Sequence, residues 1–201
     1  MESQIKKQIH SQIQNREEDK KLEPAGRNTG LVHIYCGDGK GKTTASIGLA
    51  VRAAGSSKKV VVKRFLKNDR SGEVEILKQI PGITVLPCTR TFGFSWKMSQ
   101  EEKEEAREYY GEELEKAWKK ALDQDADMLV LDEAVGACGL GFIREERLLE
   151  LIENKPEKLE VILTGRNPSK ALLAAADYVT EMVMCAHPYT RGIPARKGIE
   201  Y

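Results

Sequence analysis

The sequence predicts an α/β fold, an open and mainly parallel sheet flanked by helices on both faces, and three observations carry that expectation. From residue 30 onward short β-rich runs alternate with amphipathic segments, the pattern of a parallel sheet covered by crossover helices. The glycine-rich stretch Cys36-Gly37-Asp38-Gly39-Lys40-Gly41-Lys42-Thr43-Thr44 stands between the apolar run Leu31 to Tyr35 and a helix-like segment beginning Ala45-Ser46-Ile47. A second apolar run, Met128 to Leu131, ends in the acid pair Asp132-Glu133. Ligands of open α/β sheets bind beyond the carboxyl ends of the strands, so the glycine loop and the acids fall on one edge. Together these observations narrow the class to a P-loop NTPase-like sheet.

The chain divides into a polar leader, residues 1–28, and one domain, residues 29–201. Its 201 residues suffice for a single well-buried core plus an appendage. In the leader, Ile5, Ile9 and Ile13 recur every fourth residue and draw one narrow apolar ridge along a helix, ended by Pro24 and Gly26. Two readings stay open for it, a solvated leader or a helix that docks on a partner subunit or over a ligand. Strands are expected at Leu31 to Tyr35, Lys59 to Arg64, Ile83 to Leu86, Met128 to Leu131, Leu159 to Leu163 and Tyr178 to Met182. Helices are expected over Thr43 to Ala54, Gly72 to Gln79, Ser99 to Asp123, Arg144 to Asn154 and Ser169 to Ala175. Ser99 followed by Glu102 fits a capping box at the start of the longest helix.

Composition removes several classes of function. Lys and Arg total 32 against 31 Asp and Glu, a net charge of +1, with no basic block interleaved with aromatics, so nucleic acid is not the expected partner. Cys36, Cys88, Cys138 and Cys185 lie about fifty residues apart without a C-x-x-C pair, which indicates reduced thiols and neither a zinc site nor a disulfide framework. No segment has the apolar core of a signal peptide or the length of a membrane span. A soluble, cytoplasmic protein without membrane partners is expected.

Residues 37–44 read as a phosphate-binding loop. Closely spaced glycines let backbone N–H groups converge on an oxyanion, Lys42 reaches the phosphates, and the Thr43 hydroxyl is placed to ligate Mg²⁺. The expected nucleotide-binding set is therefore Gly37, Asp38, Gly39, Lys40, Gly41, Lys42, Thr43 and Thr44. The loop is one residue short, because Gly37 lies four residues before Gly41 where the usual pattern needs five, and Cys36 fills the expected position. Either an ordinary NTPase tolerates the deletion, or the loop wraps the phosphates differently and the reacting atom is not the terminal phosphorus. Asp132 and Glu133 are the expected metal partners of Thr43. Arg166, in Thr164-Gly165-Arg166 after the fifth strand, is placed to clamp phosphate oxygens. Arg52, two and a half turns into the first helix, is either a nucleotide contact or a surface arginine. Phe94 and Trp96, at alternate positions of one extended segment, read on their own as core packing.

Taken together, roughly residues 30 to 201 resemble the P-loop type of ATP:corrinoid adenosyltransferase. The marks are the shortened loop Gly37 to Thr44, Arg52 in Val51-Arg52-Ala53-Ala54-Gly55, Phe65-Leu66-Lys67, Gly93-Phe94-Ser95-Trp96, Val130-Leu131-Asp132-Glu133, Thr164-Gly165-Arg166 and Lys197-Gly198-Ile199-Glu200-Tyr201. The resemblance implies a reaction at carbon: a reduced, cob(I)alamin-like cobalt attacks the 5′ carbon of ATP and expels inorganic triphosphate. It implies a nucleotide reversed relative to ordinary P-loop enzymes, with Lys42, the loop and Mg²⁺ holding the leaving group. It assigns Phe94 and Trp96 to crowding out the lower axial ligand, so that a four-coordinate Co(II) accepts an electron more easily. It further implies an external reductant such as a flavoprotein and a homodimer.

Two departures stand beside the resemblance. Asp38 replaces the asparagine more usual in the loop, and a carboxylate pointing inward would weaken ATP binding. Thr190 and Arg191 stand before Gly192 where the family often has an acidic and small pair. Two rival functions remain, a P-loop kinase or ATPase cleaving at the γ-phosphate and a non-catalytic, ATP-responsive corrinoid-binding module.

Overall fold

Six short segments form strands, most of them apolar runs rich in Val, Ile and Leu that are too short to bury themselves as helices, the sixth a half-exposed Tyr-Val-Thr-Glu stretch. They are β1 (Val32–Cys36), β2 (Val60–Arg64), β3 (Ile83–Val85), β4 (Met128–Asp132), β5 (Glu160–Thr164) and β6 (Tyr178–Glu181). They make one sheet in the order β3-β2-β4-β5-β1-β6, with every pairing parallel. This computed structural model describes residues 29–69 and 71–200. The leader, with its isoleucine ridge, therefore lies outside the described residues, as does Tyr201.

Among the described residues six helices cover the sheet: α1 (Lys42–Gly55), α2 (Gly72–Leu77), α3 (Gln100–Asp123), α4 (Ala134–Gly139), α5 (Glu145–Glu153) and α6 (Lys170–Ala175). The alternation of side chains along each strand builds two cores, one per face. On one face Val60, Val62, Ile83, Met128, Val130 and Ile162 pack with Ala50 and Ala53 of α1 and Leu77 of α2. On the other, Ile34, Val61, Phe65, Leu129, Leu131 and Val161 meet α3 and α5. Helix α3 is charged overall, yet Ala106, Tyr110, Leu114, Ala117, Trp118 and Ala121 return on one stripe and are buried. Its first turn has the expected capping box: Glu102 N donates to Ser99 Oγ, and Ser99 N donates to the Glu102 carboxylate at 2.7 Å.

Every expected strand is present within a residue or two, and the expected helices likewise. Three elements were not expected, one of them a short 3₁₀ turn at Pro188–Arg191. Helix α4 follows directly on the acid pair, a stretch rich in Ala and Gly that carries little periodic signal. Ser95–Lys97 forms a 3₁₀ turn, so Phe94 and Trp96 do not share an extended segment. Strand β5 lies between β1 and β4, and the register sets Tyr35 beside Thr164 and Arg64 beside Asp132. The chain segments leaving β1, β2, β4 and β5 therefore converge on one edge.

Candidate functional site

The glycine loop, residues 37–41, is laid directly on the chain leaving β6. Gly37 has φ 99°, and a side chain there would stand 2.4 Å from Met182 O. Gly39 N donates to the same carbonyl at 2.7 Å, so no Cβ fits between loop and strand end. Asp38 is exposed, and its Oδ1 accepts from Met184 N at 3.0 Å. Its carboxylate is thus turned to the backbone after β6, and the condition under which it would oppose polyphosphate is not met. Lys40 and Thr44 are exposed. Farther along the tail Pro188–Arg191 form a second 3₁₀ turn, with Thr190 and Arg191 exposed. The tail comes back toward the loop: Glu200 is held down to about 2 by Arg196, with a smaller contribution from Lys40.

Helix α1 begins inside the loop and presents its positive end there. Lys42 is buried and donates through Nζ to Gly39 O at 2.6 Å. Burial pulls its pKa below the usual lysine range, against the pull of Glu133. Next to it lies a closed polar cluster. Thr43 Oγ1 donates to Asp132 Oδ1 at 2.9 Å, and Thr164 Oγ1 donates to the same oxygen at 2.7 Å. Lys67 Nζ donates to Asp132 Oδ2 and to Thr43 Oγ1, each at 2.7 Å. Asp132 is wholly buried, so these donors replace the water it gave up on folding.

Glu133 is the first residue after β4 and has φ 62°, a left-handed conformation uncommon for a non-glycine residue. Its N–H donates to Thr164 Oγ1 at 2.8 Å. Burial pushes its carboxyl above the ordinary range, with Lys67 opposing. Gly165 at the end of β5 packs on α4 so tightly that a Cβ would lie 2.5 Å from Gly136 N. Arg166 follows it, exposed, and its charge acts on both Lys42 and Glu133. Thr43, Asp132 and Glu133 are oxygen donors of the kind a hard divalent cation takes. Among the described residues no three His, Cys, Asp or Glu gather into a protein-only metal cage.

The second half of the site is apolar. Leu66, Phe92, Phe94, Trp96, Tyr110 and Phe142 line a cavity of about 320 Å³. Phe94 and Trp96 stack at 4.6 Å between centroids yet are 64% and 74% exposed, which excludes the core-packing reading. Elsewhere in the lining, buried Tyr110 lies 5.5 Å from half-buried Phe92 and 5.9 Å from buried Phe142. The base of this loop is fixed by two buried cations of β2. Lys63 pairs with Glu113 of α3 and donates to Pro87 O at 2.8 Å. Arg64 Nη2 pairs with Asp69 at 2.5 Å, and Asp69 in turn accepts from Cys88 N. Leu66 lines the aromatic cavity while the next residue, Lys67, enters the polar cluster, so the two halves adjoin.

One expected nucleotide contact is not brought to the loop. Arg52 lines a separate cavity of about 540 Å³ with Asp127, Met128 and Glu160, at the amino ends of β4 and β5. The reason is direction: α1 runs back across the sheet at about 1.5 Å per residue, so ten residues carry Arg52 about 15 Å from Lys42. Lys67 was missed as a site residue, although Phe65-Leu66-Lys67 immediately follows β2 on the carboxyl edge, where a polar residue has a ligand within reach.

A family model described as ATP:corrinoid adenosyltransferase BtuR/CobO/CobP matches residues 28–201. A corrinoid adenosyltransferase of Pseudomonas aeruginosa is 33% identical over 208 residues, spanning 100% of this chain and 99% of that protein. One from Escherichia coli K12 is 32% identical and one from Salmonella typhimurium 31%, each alignment covering 91% of both chains.

Proposed function

The chain belongs to the ATP:corrinoid adenosyltransferase family BtuR/CobO/CobP, and on that premise we propose how its own residues carry the reaction. The enzyme is a transferase that moves the 5′-deoxyadenosyl group of ATP to the cobalt of a reduced corrinoid and releases inorganic triphosphate. In our reading residues 37–44 hold the triphosphate as a leaving group, with Lys42 and Arg166 meeting the charge that develops on it. Thr43, Asp132 and Glu133 hold Mg²⁺, which would neutralise part of that charge. Phe94 and Trp96 face the corrinoid and exclude a lower axial ligand, an apolar wall that changes the metal's electronics without donating to it.

The observation that carries this reading is the contiguity of the aromatic cavity with the Thr43–Asp132 cluster through Leu66 and Lys67. Cleavage at the γ-phosphate has no use for exposed stacked aromatics beside the phosphate loop. We further propose a cytoplasmic homodimer served by an external reductant such as a flavoprotein. Exposed Val183, Met184, Tyr189 and Ile193 on the tail support a protein partner. The domain is read as residues 29–201, with residues 1–28 as an appended leader.

Incubation with ATP, Mg²⁺ and chemically reduced cobalamin without oxygen tests the chemistry directly. Phosphorus NMR should show triphosphate rising in step with a light-sensitive alkylcobalamin spectrum. ADP and phosphate with an unchanged corrinoid spectrum would return the chain to γ-phosphate chemistry.

A further inference from the structure

The Lys67 ammonium lies between two groups assigned to the metal, 2.7 Å from Thr43 Oγ1 and 2.7 Å from Asp132 Oδ2. Thr43 spends its one hydroxyl proton on Asp132 Oδ1, so it faces Lys67 with a lone pair. The second lone pair of that oxygen is open, and a divalent cation taking it would stand directly beside the ammonium. Two cations so close repel, and the ammonium already takes Asp132 Oδ2, so it opposes a metal ion at this position. The chain is built to aim the lysine there: Leu66 has φ 56°, a left-handed conformation at a bulky residue that turns the chain off the end of β2. The lysine side chain is 27% exposed while Asp132 is fully buried, so the cation has a way out and the carboxylate has none.

We propose that Lys67 is a resident counter-cation of the divalent-ion position. It neutralises buried Asp132 and keeps Thr43 in ligating geometry, and it yields its place when the metal arrives with nucleotide. The consequence is an order of binding. Metal alone must displace a bound ammonium and gains no phosphate oxygens in return, whereas metal with ATP brings a triphosphate able to accept both cations. Lys67 thus acts as a positioning residue that excludes free divalent ions from the site.

The inference rests on the reading of Thr43 and Asp132 as metal ligands, and the test separates the two. Mn²⁺ binding to the full-length protein without nucleotide is followed by the free-ion EPR signal for wild type, Lys67→Met and Lys67→Arg. Removing one positive charge at this distance should tighten Mn²⁺ binding by about tenfold or more in Lys67→Met. Lys67→Arg keeps the charge and should bind Mn²⁺ as weakly as wild type. Adding Thr43→Ala to Lys67→Met should abolish the gain. Circular dichroism of each variant checks that it is folded. If Lys67→Met binds Mn²⁺ no better than wild type, while Mg²⁺ still raises wild-type affinity for ATP, the counter-cation role is wrong and the metal reading stands. If Mg²⁺ leaves wild-type ATP affinity unchanged, the metal reading fails and the inference falls with it.

Discussion

Trp96 is the residue in which the proposed chemistry is most sharply divided. Its indole is 74% exposed and stacked on Phe94, so truncation to alanine removes apolar surface from the cavity without opening a void in the core. Trp96→Ala should therefore spare adenosylation of chemically supplied cob(I)alamin and slow the reaction started from Co(II) with a reductant. Parallel initial rates from the two starting points measure this. Equal loss in both would show that Trp96 merely holds the corrinoid. Neighbouring positions explain what was and was not readable at this scale. Asp38 looked hazardous because its type was visible and its direction was not; the bond to Met184, 146 positions away, settles it. Lys67 shows the opposite case, a residue whose role exists only through partners 24 and 65 positions distant.

At the scale of elements, β2 and α3 are tied by the Lys63–Glu113 pair, which also fixes Pro87 at the base of the aromatic loop. Burial alone would raise the Glu113 carboxyl, but hydrogen bonds from Lys63 and Lys116 outweigh it and hold the pKa below the ordinary range. A depressed carboxylate contributes stability that is present above its unfolded pKa, about 4.3, and is lost as pH falls through the lower folded value. Breaking a buried pair costs about 3–5 kcal/mol, and glutamine keeps an acceptor for Lys63, so Glu113→Gln should cost the lower part of that range near neutrality. Urea unfolding across pH should show the gap between variant and wild type closing below about pH 4.3. A gap constant down to pH 3 would mean that the pair adds nothing through its charge. The pairing was hidden in the sequence because a lysine inside a strand and a glutamate on a charged helix each look like solvated surface.

For the whole molecule, one edge of a parallel sheet gathers the segments leaving β1, β2, β4 and β5, so ligand binding should reinforce the entire fold. Saturation of the native state at about 100 times Kd adds about 2.7 kcal/mol of stability. For a chain of this size that corresponds to a rise in Tm of roughly 5–10 °C. Calorimetry with ATP and Mg²⁺ at concentrations far above Kd should show it, and Lys42→Ala should erase it. A wild-type Tm that stays put under those conditions would count against a nucleotide site at this edge.

By itself the sequence determined the class of fold, the order of its strands along the chain, the glycine loop and the acids opposite it. Those signals are local: apolar runs of strand length, glycines at fixed spacing, and charged residues at strand ends. Tertiary structure alone decided which strands are neighbours, that Arg52 belongs to the far end of the sheet, that Phe94 and Trp96 are surface, and that Lys67 stands between Thr43 and Asp132. Each of these depends on the direction in which an element crosses the sheet or a side chain leaves it. Direction is set by packing between residues far apart in the chain, and no local pattern encodes it.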